Sequence, residues 1–240
     1  AGVESWLACP SLSEQVTISC ARGSHRMSMP ENILGALFHL TKPYMAIALD
    51  QRESRWARRR SIPLAGKTLG ILGIGAIGRE VARKAAALEM RVIGTKRTPE
   101  PVAGVDNVYG PDELDEVLGQ SDFVVLLMPV TPQTENIIDA ARLRAMRPSA
   151  WLLNFARGSL IVDEHLIEAV RSKTIAGAVL DVFREEPLPS DHPFWKTEGI
   201  LVLPHIGGGH AKRNAFVADV FAGNAKYFLA GKPLPTAVDR

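Results

Sequence analysis

The sequence is poor in cysteine, in histidine clusters and in long apolar runs. Cys9 and Cys20 are its only two cysteines. Two thiols cannot build a disulfide framework, and no Cys/His group has the spacing of metal ligands, so the sequence indicates a reducing compartment, the cytoplasm, and no metal site. No apolar run approaches the ~20 residues of a membrane span, and no basic segment followed by an apolar core predicts a secretory signal.

An excess of charge of one sign is also lacking. The chain has 28 Lys and Arg residues against 26 Asp and Glu residues, a net charge of +2. This charge is too small to favour a nucleic acid or a membrane surface as partner. The densest basic run, Arg55 with residues 58–60, is interpreted as a solvated helix end, with a polyanion-binding patch as the alternative.

Short apolar runs alternate with amphipathic segments from Lys67 onward. The runs predict six strands, at 68–72, 91–95, 123–128, 151–154, 175–181 and 200–203. The segments between and after them predict helices at 77–88, 111–119, 134–146, 163–171 and 210–229. Strands that are apolar throughout and separated by helices are typical of a parallel sheet covered on both faces. The predicted fold is α/β, a Rossmann-type doubly wound parallel sheet.

A mostly helical stretch precedes this region, over residues 30–60. Ser28 and Glu31 have the spacing of a capping box at its start. Pro43 lies inside the stretch, and we expect it to interrupt the helix because proline has no N–H to donate.

Residues 73–78 read Gly-Ile-Gly-Ala-Ile-Gly, the spacing of a dinucleotide phosphate loop. The segment follows an apolar strand and opens a helix, which is the context that the motif requires. Gly73 then permits the tight turn, Gly75 the close approach of backbone to a pyrophosphate, and Gly78 the packing of helix on strand. The pyrophosphate would meet N–H groups at the positive helix end. A strand–helix turn whose glycines serve packing alone is the weaker alternative.

Two cations follow the second predicted strand. The residue that meets the adenosine ribose is expected about 20 positions beyond the loop, where NAD-binding sites normally have Asp or Glu. This sequence has Lys96 and Arg97 there instead. Both can pair with a 2′-phosphate, and Arg97 in a forked geometry. The sequence therefore predicts NADP as cofactor, with NAD as the second choice; an exposed basic loop without a ligand is the alternative.

Three polar segments lie at the ends of later predicted strands. They read N-F-A-R-G at 154–158, E-E-P-L-P at 185–189 and P-H-I-G-G at 204–208. The carboxyl ends of parallel strands meet at one edge of a sheet, so these segments are expected to converge. With the phosphate loop, they make the sequence from about residue 24 to 239 resemble the D-isomer-specific 2-hydroxyacid dehydrogenase family.

The resemblance implies a set of site residues. The matching positions in the three segments assign catalysis to Arg157, Glu186 and His205. Ala76 and Ile77 would lie at the pyrophosphate. The adenosine and ribose side would be bordered by Met128, Pro129 and Thr134. The nicotinamide would be faced by Phe155, Ala156, Asp181, Gly207 and Gly208.

The implied reaction is hydride transfer between NADP(H) and a 2-keto acid or D-2-hydroxy acid, in the broad sense of a glyoxylate/hydroxypyruvate reductase. His205 would donate or accept the proton, because its ordinary pKa lies nearest neutrality. Glu186 would fix the imidazole tautomer and favour the imidazolium. Arg157 would hold the carboxylate and polarise the ketone. The Glu–His pair argues against formate dehydrogenase, whereas a nucleotide-binding interaction protein of the corepressor type stays open.

The resemblance also implies a domain division and a partner. The opening residues A-G-V-E resemble the A-G-V-D segment near the end of the family's flavodoxin-like substrate domain. Residues 1–23 are therefore expected to be a remnant of that domain, 24–209 the dinucleotide-binding domain, and 210–240 a helix and tail returning toward the substrate domain. Most of the substrate domain would be missing and the active site incomplete. A homodimer is expected through the apolar stretch 30–49, although its side chains could instead pack internally.

Overall fold

A seven-stranded parallel sheet lies at the centre of the described part of the chain, residues 2–7, 9–13 and 15–238 of a computed structural model. For Glu4 and Ser5 only the backbone is described. Ala1, where the predicted remnant begins, and residues 239–240 of the predicted tail lie outside the described residues. The strands are β1 Thr68–Leu72, β2 Arg91–Thr95, β3 Asn107–Tyr109, β4 Phe123–Leu126, β5 Trp151–Asn154, β6 Gly177–Leu180 and β7 Ile200–Val202.

The sheet is wound in two directions from β1. The strand order is β3-β2-β1-β4-β5-β6-β7, so the chain builds one half outward and then returns to place β4 beside β1. Leu72 at the end of β1 pairs with Thr95 of β2 and with Leu126 of β4. This reversal opens a crevice at the carboxyl edge, where such sheets bind their ligands. The predicted doubly wound α/β fold is confirmed.

The described residues form eight α-helices. They are α1 Glu4–Leu7, α2 Ser28–Thr41, α3 Tyr44–Arg52, α4 Ala76–Ala86, α5 Leu114–Gln120, α6 Ala140–Ala145, α7 Asp163–Arg171 and α8 Arg213–Leu229. Five of them, α2 and α4 to α7, cover the two faces of the sheet. On one face the strand side chains cluster with apolar residues of α2 and α4, among them Ile33, Leu37, Val81 and Ala85. On the other they cluster with α5, α6 and α7, among them Leu118, Leu143 and Leu166. Every residue of β1 is buried, as its unbroken apolar sequence predicts.

Several element boundaries differ from the sequence prediction. Strand β3 was not predicted, because it has only three residues at the sheet edge, one of them exposed and two partly buried. The helix predicted over 134–146 is confined to α6, because the Asp139 side chain accepts the N–H groups of Ala141 and Arg142, both at 3.0 Å, and caps the helix there. The last helix begins at Arg213 rather than at residue 210.

The stretch 30–60 is broken where proline predicts it. Helix α2 ends at Thr41 and α3 begins at Tyr44, with Pro43 between them. Beyond α3, the basic run folds back on the helix: Arg55 and Arg59 lie 3.2 and 2.7 Å from the nearly buried Asp50 carboxylate. The hydrogen bond from Arg59, with the charges of both arginines, outweighs burial and lowers the pKa of Asp50. Two of the four arginines of this run thus form ion pairs with Asp50 near the end of α3.

Residues 18–20 pair with residues 236–238. Ser19 forms an antiparallel bridge with Ala237, the Cys20 N–H donates to the Thr236 carbonyl at 3.1 Å, and the Val238 N–H donates to the Ile18 carbonyl at 2.9 Å. The segment before α2 and the tail after α8 therefore form one small strand pair. Among the described residues, no helix has the length and apolar character that a membrane crossing needs.

Candidate active site

The glycine loop between β1 and α4 has the shape that its sequence predicts. Gly73 has a φ of +105°, and a Cβ there would lie 2.7 Å from the Met128 nitrogen, so only glycine fits. A Cβ at Gly78 would lie 2.9 Å from the Gly73 carbonyl oxygen. A Cβ at Gly75 would meet nothing within 4 Å. The loop is thus closed toward the sheet and open at Gly75, where the positive end of α4 begins.

A cavity of about 270 Å³ lies over this loop. Ten of the residues assigned to the cofactor or to catalysis line it, namely Gly73, Gly75, Ala76, Ile77, Gly78, Met128, Pro129, Phe155, Ala156 and Arg157. The segment before α2 and the first turn of that helix also line it, with Cys20, Ala21, Arg22, Gly23, His25 and Met29. The open glycine at a helix N-terminus fits a pyrophosphate, which needs close backbone approach and unpaired N–H donors. The donor set of this cavity therefore fits a dinucleotide.

Six predicted cofactor residues lie outside this lining: Lys96, Arg97, Thr134, Asp181, Gly207 and Gly208. Thr134 shapes the loop after β4, since its Oγ1 donates to the Pro129 carbonyl at 2.8 Å and accepts from the Thr131 N–H at 2.7 Å. A Cβ at Gly207 would lie 2.6 Å from Asp181 Oδ2, and one at Gly208 2.7 Å from His25 Nδ1. Both glycines allow close packing of the loop that follows His205.

Glu186 and His205 form a hydrogen-bonded pair at the carboxyl edge of the sheet. His205 Nδ1 lies 2.6 Å from Glu186 Oε2, and the other carboxylate oxygen accepts the Phe183 N–H at 2.9 Å. Because Nδ1 is hydrogen-bonded to the carboxylate, Nε2 is the ring nitrogen that can form a hydrogen bond with a substrate. Burial raises the pKa of the Glu186 carboxyl, but the hydrogen bonds from His205 and Phe183 and the charges of His205 and Arg157 outweigh burial and lower it. The carboxylate is therefore the form that faces His205.

Asp181 holds the backbone that carries His205. Its fully buried carboxylate accepts the N–H groups of Ile206 at 2.7 Å and Gly207 at 2.9 Å. Burial raises the pKa of Asp181 above its ordinary value, and these two hydrogen bonds oppose the rise. His205 itself has a φ of +51°, and its N–H donates to the Leu203 carbonyl at 3.0 Å. The side chain of Asp181, the residue directly after β6, thus fixes the histidine loop.

Helix α2 and the segment before it also hold this loop. Asn32 Nδ2 donates to the Gly207 carbonyl at 3.0 Å, Ser28 Oγ donates to the Gly209 carbonyl at 2.9 Å, and His25 Nδ1 lies 2.9 Å from the Gly208 carbonyl. Burial lowers the pKa of His25, while its bond to Gly208 opposes the shift. The expected capping box is wrong: Met27 is the N-cap, and the Ser28 hydroxyl binds the histidine loop instead of the helix N–H groups.

Arg157 is placed by its neighbours in the N-x-x-R-G segment. Asn154 Nδ2 donates to the Arg157 carbonyl at 2.8 Å, and Asn154 Oδ1 accepts the Ala156 N–H at 3.1 Å, so the turn is closed on itself. A Cβ at Gly158 would overlap the backbone at Phe183, which lets this loop approach the loop that carries Glu186. The charge of Arg157 acts on the Glu186 carboxyl. The three predicted catalytic residues thus share one edge of the sheet.

The two predicted ribose-side cations differ in their surroundings. Lys96 Nζ lies 3.1 Å from Glu100 Oε1, and the same oxygen lies 2.9 Å from Arg79 Nη2. Hydrogen bonds and charge from Lys96, followed by those from Arg79, lower the pKa of Glu100. Arg97 is exposed beside them. Sequence reasoning missed Arg79 and Glu100, although Arg79 directly follows the last glycine of the phosphate loop.

Other residues of the site also escaped the sequence prediction. Asn154 has a recognisable signal, since it is the first residue of N-x-x-R-G. The α2 residues that bind the histidine loop, Ser28 and Asn32, have none, because about 180 positions separate them from the carbonyl groups that they contact.

Comparison with known proteins gives one consistent result. Residues 34–207 match the family described as D-isomer specific 2-hydroxyacid dehydrogenase, NAD binding domain. A glyoxylate reductase of Thermococcus onnurineus is 40% identical over 177 residues, which cover 73% of this chain and 52% of that protein. The chain thus spans about half the length of that curated relative.

Two solved structures resemble the whole chain. One is a D-isomer specific 2-hydroxyacid dehydrogenase from Xanthobacter autotrophicus in complex with NADPH and MES, with a TM-score of 0.90, 32% identity, and coverage of 100% of this chain and 98% of that one. The other is an NADPH-dependent glyoxylate/hydroxypyruvate reductase from Sinorhizobium meliloti in complex with NADP and sulfate, with a TM-score of 0.87, 31% identity, and coverage of 100% and 76%.

Proposed function

Because this chain belongs to the D-isomer-specific 2-hydroxyacid dehydrogenases, we propose that it carries the cofactor site and catalytic residues of an NADPH-dependent 2-keto acid reductase. The family uses NAD(P) as cofactor. The observation that carries the proposal is the 2.6 Å bond between His205 and Glu186 at the sheet edge that also holds Arg157 and the phosphate loop. No feature of the described residues favours the corepressor-like alternative.

The proposed roles follow from the hydrogen bonds of each side chain. The nicotinamide, when bound, supplies or accepts the hydride. His205, protonated at Nε2, gives its proton to the nascent alkoxide oxygen in reduction and takes it back in oxidation. Glu186 holds Nδ1 and stabilises the imidazolium form. Arg157 binds the substrate carboxylate and stabilises charge on the ketone oxygen. Asp181 positions the loop between His205 and Gly207.

Substrate choice within this class is proposed from the relatives. The Thermococcus protein is named a glyoxylate reductase and the Sinorhizobium structure a glyoxylate/hydroxypyruvate reductase. Both names denote short 2-keto acids with a carboxylate that one arginine can hold. A panel of 2-keto acids tests the proposal, with the reaction followed by the loss of NADPH absorbance. We expect glyoxylate and hydroxypyruvate to be reduced fastest. Failure of every 2-keto acid to oxidise NADPH would contradict it.

NADP(H) is the proposed cofactor because cations follow β2. We expect NADPH to bind at least roughly tenfold more tightly than NADH, about 1.4 kcal/mol, since Lys96 and Arg97 can pair with the 2′-phosphate. The double variant K96A/R97A should lose most of the difference. Fluorescence titration of both cofactors measures it.

A matched control removes the same charges elsewhere. The double variant K67A/R91A takes one lysine and one arginine from the opposite, amino-terminal edge of β1 and β2. It should keep the preference for NADPH. Equal titration curves for NADPH and NADH with the unmodified chain would contradict the NADP assignment.

The domain division is proposed on the pairing of the chain ends. Residues 18–20 and 236–238 are hydrogen-bonded to each other around the Ser19–Ala237 bridge, and the described residues before 24 and after α8 lie outside the seven-stranded sheet. This contact supports their assignment to a second, substrate-binding unit, with 24–209 as the dinucleotide-binding domain. A cytoplasmic location is proposed with it, in keeping with the free thiols of Cys9 and Cys20.

A homodimer is proposed through the stretch 30–49. Leu37 is fully buried and Leu40 packs against the core, so these two serve the chain itself. Tyr44, Met45 and Leu49 are 72, 61 and 53% exposed on α3 and form an apolar surface there. We expect light scattering at micromolar concentration to give the mass of a dimer, and the Y44E/M45E variant that of a monomer. A monomeric mass for the unmodified chain would remove the proposal.

A further inference from the structure

A single carboxylate bridges two cations beside the phosphate loop. Glu100 Oε1 lies 3.1 Å from Lys96 Nζ and 2.9 Å from Arg79 Nη2. Lys96 follows β2, and Arg79 belongs to α4, so the carboxylate joins two elements that neighbour each other at the carboxyl edge. Lys96 is additionally held through the Thr98 carbonyl at 3.2 Å. The arrangement is an anion site whose occupant is the protein's own side chain.

The bridge lies where the adenosine end of a dinucleotide would be. The N–H groups of Gly73 and Ile74 donate to the Thr95 carbonyl at 3.3 and 2.9 Å, so the phosphate loop is tied directly to the end of β2. Lys96 is the next residue after that carbonyl. Arg79 is the first residue after Gly78. Both cations therefore lie beside the loop, close enough to share one carboxylate oxygen.

We propose that Glu100 occupies the place of the cofactor's 2′-phosphate and that Arg79 is a cation of the same phosphate site. The inference rests on the proposed NADP function and adds a specificity-determining pair to it. A phosphomonoester and a carboxylate are both small oxyanions that accept from Lys and Arg, and the phosphate has the greater charge and an additional oxygen. Binding of NADPH displaces Glu100, whereas binding of NADH can leave the bridge in place. Glu100 thus weakens NADPH binding more than NADH binding.

The exposure of the bridge makes this exchange feasible. The side chains of Arg79 and Glu100 are 46 and 52% exposed, and that of Lys96 is 23% exposed. Ion pairs at this level of exposure contribute little stability each, so releasing the carboxylate costs little. A displaced Glu100 nevertheless stays close to the phosphate site, because only three residues separate it from Lys96 in the chain. Its negative charge therefore repels the incoming phosphate. Breaking the bridge and repelling the phosphate both weaken NADPH binding, so Glu100 is expected to lower the affinity for NADPH moderately.

The test uses two adenosine fragments that differ in the 2′-phosphate, 2′,5′-ADP and 5′-AMP, titrated by calorimetry into the full chain. Glu100→Gln should bind 2′,5′-ADP about three- to tenfold more tightly and change 5′-AMP binding less than twofold, as expected for losing one exposed like charge. Arg79→Gln should weaken 2′,5′-ADP about three- to tenfold and leave 5′-AMP within twofold. The 5′-phosphate common to both fragments reports any effect on the pyrophosphate side.

Matched controls lie on the same helix. Glu80→Gln and Arg83→Gln make the same charge changes, since Glu80 and Arg83 pair with each other at 3.1 Å, away from the bridge. Both should leave the two fragments within twofold of the unmodified chain. If Glu100→Gln and Arg79→Gln behave like their controls while the unmodified chain prefers 2′,5′-ADP, the inference is wrong and the NADP proposal stands. If the unmodified chain binds both fragments equally, the NADP proposal fails and the inference fails with it.

Discussion

Replacing His205 with alanine is expected to lower kcat about 10²–10⁴-fold while NADPH affinity stays nearly unchanged. This range is the usual loss when a positioned general acid is removed. Cofactor binding should survive because His205 does not line the cavity over the phosphate loop. Steady-state oxidation of NADPH by glyoxylate, with a separate NADPH titration, measures both quantities. Normal turnover by His205→Ala would contradict the proton-donor role.

Glu186→Gln distinguishes the pair from a lone histidine. The amide keeps the size of the side chain but gives the imidazolium no anionic partner, so protonated His205 persists only at lower pH. Reduction requires that protonated form, and the alkaline limb of its kcat/KM profile should therefore move to lower pH. An unchanged limb with reduced kcat would mean that Glu186 only positions the ring.

Replacing Arg157 with glutamine is expected to lower kcat/KM for a 2-keto acid about 10²–10³-fold, the scale seen when an oxyanion donor is removed. Arg157 has both proposed tasks, holding the carboxylate and polarising the ketone, so KM should rise and kcat should fall together. Arg157→Lys should recover only part of the loss, because one ammonium cannot donate in a forked geometry.

Cofactor affinity supplies the control for Arg157. Arg157 is one of many residues that line the cavity, and its guanidinium donates to the Ala156 carbonyl at 2.6 Å. NADPH titration of both variants should therefore stay within about threefold of the unmodified chain, less than the loss expected in catalysis. A variant that kept kcat/KM would show that another cation holds the substrate.

The fold could be read from the chain because local signals agreed with one another. Continuous apolar runs such as β1 and β4 are typical of buried parallel strands, and the glycines at 73–78 identified the strand–helix crossing. The edge strand β3 was missed because its three residues, one exposed and two partly buried, form no such run. The start of α6 after Asp139 depended on a side-chain N-cap, which the amphipathic pattern alone does not reveal.

The candidate site could be predicted only as far as its motifs reach. Arg157, Glu186 and His205 stand in short segments, and topology brings strand ends together. The residues that hold them came from elsewhere: Asn32 and Ser28 contact the histidine loop from a helix that precedes the sheet. Glu100 was missed for another reason, because an exposed acid beside two cations has no sequence signature. Long-range hydrogen bonds and surface ion pairs depend on the tertiary structure, so sequence motifs do not predict them.

The geometry of the loop beside His205 depends on the attachment of α2 to the sheet. Ile33 and Leu37 fix this helix to one face of the sheet, while Ser28 and Asn32 bind the carbonyl groups beside His205. Local opening that released α2 would free those carbonyls and leave the seven-stranded ladder hydrogen-bonded. Such partial unfolding requires less free energy than global unfolding. On heating, the enzyme would therefore become inactive before its sheet melts, and the amides next to His205, the proposed proton donor, would exchange with solvent earlier than those of β1.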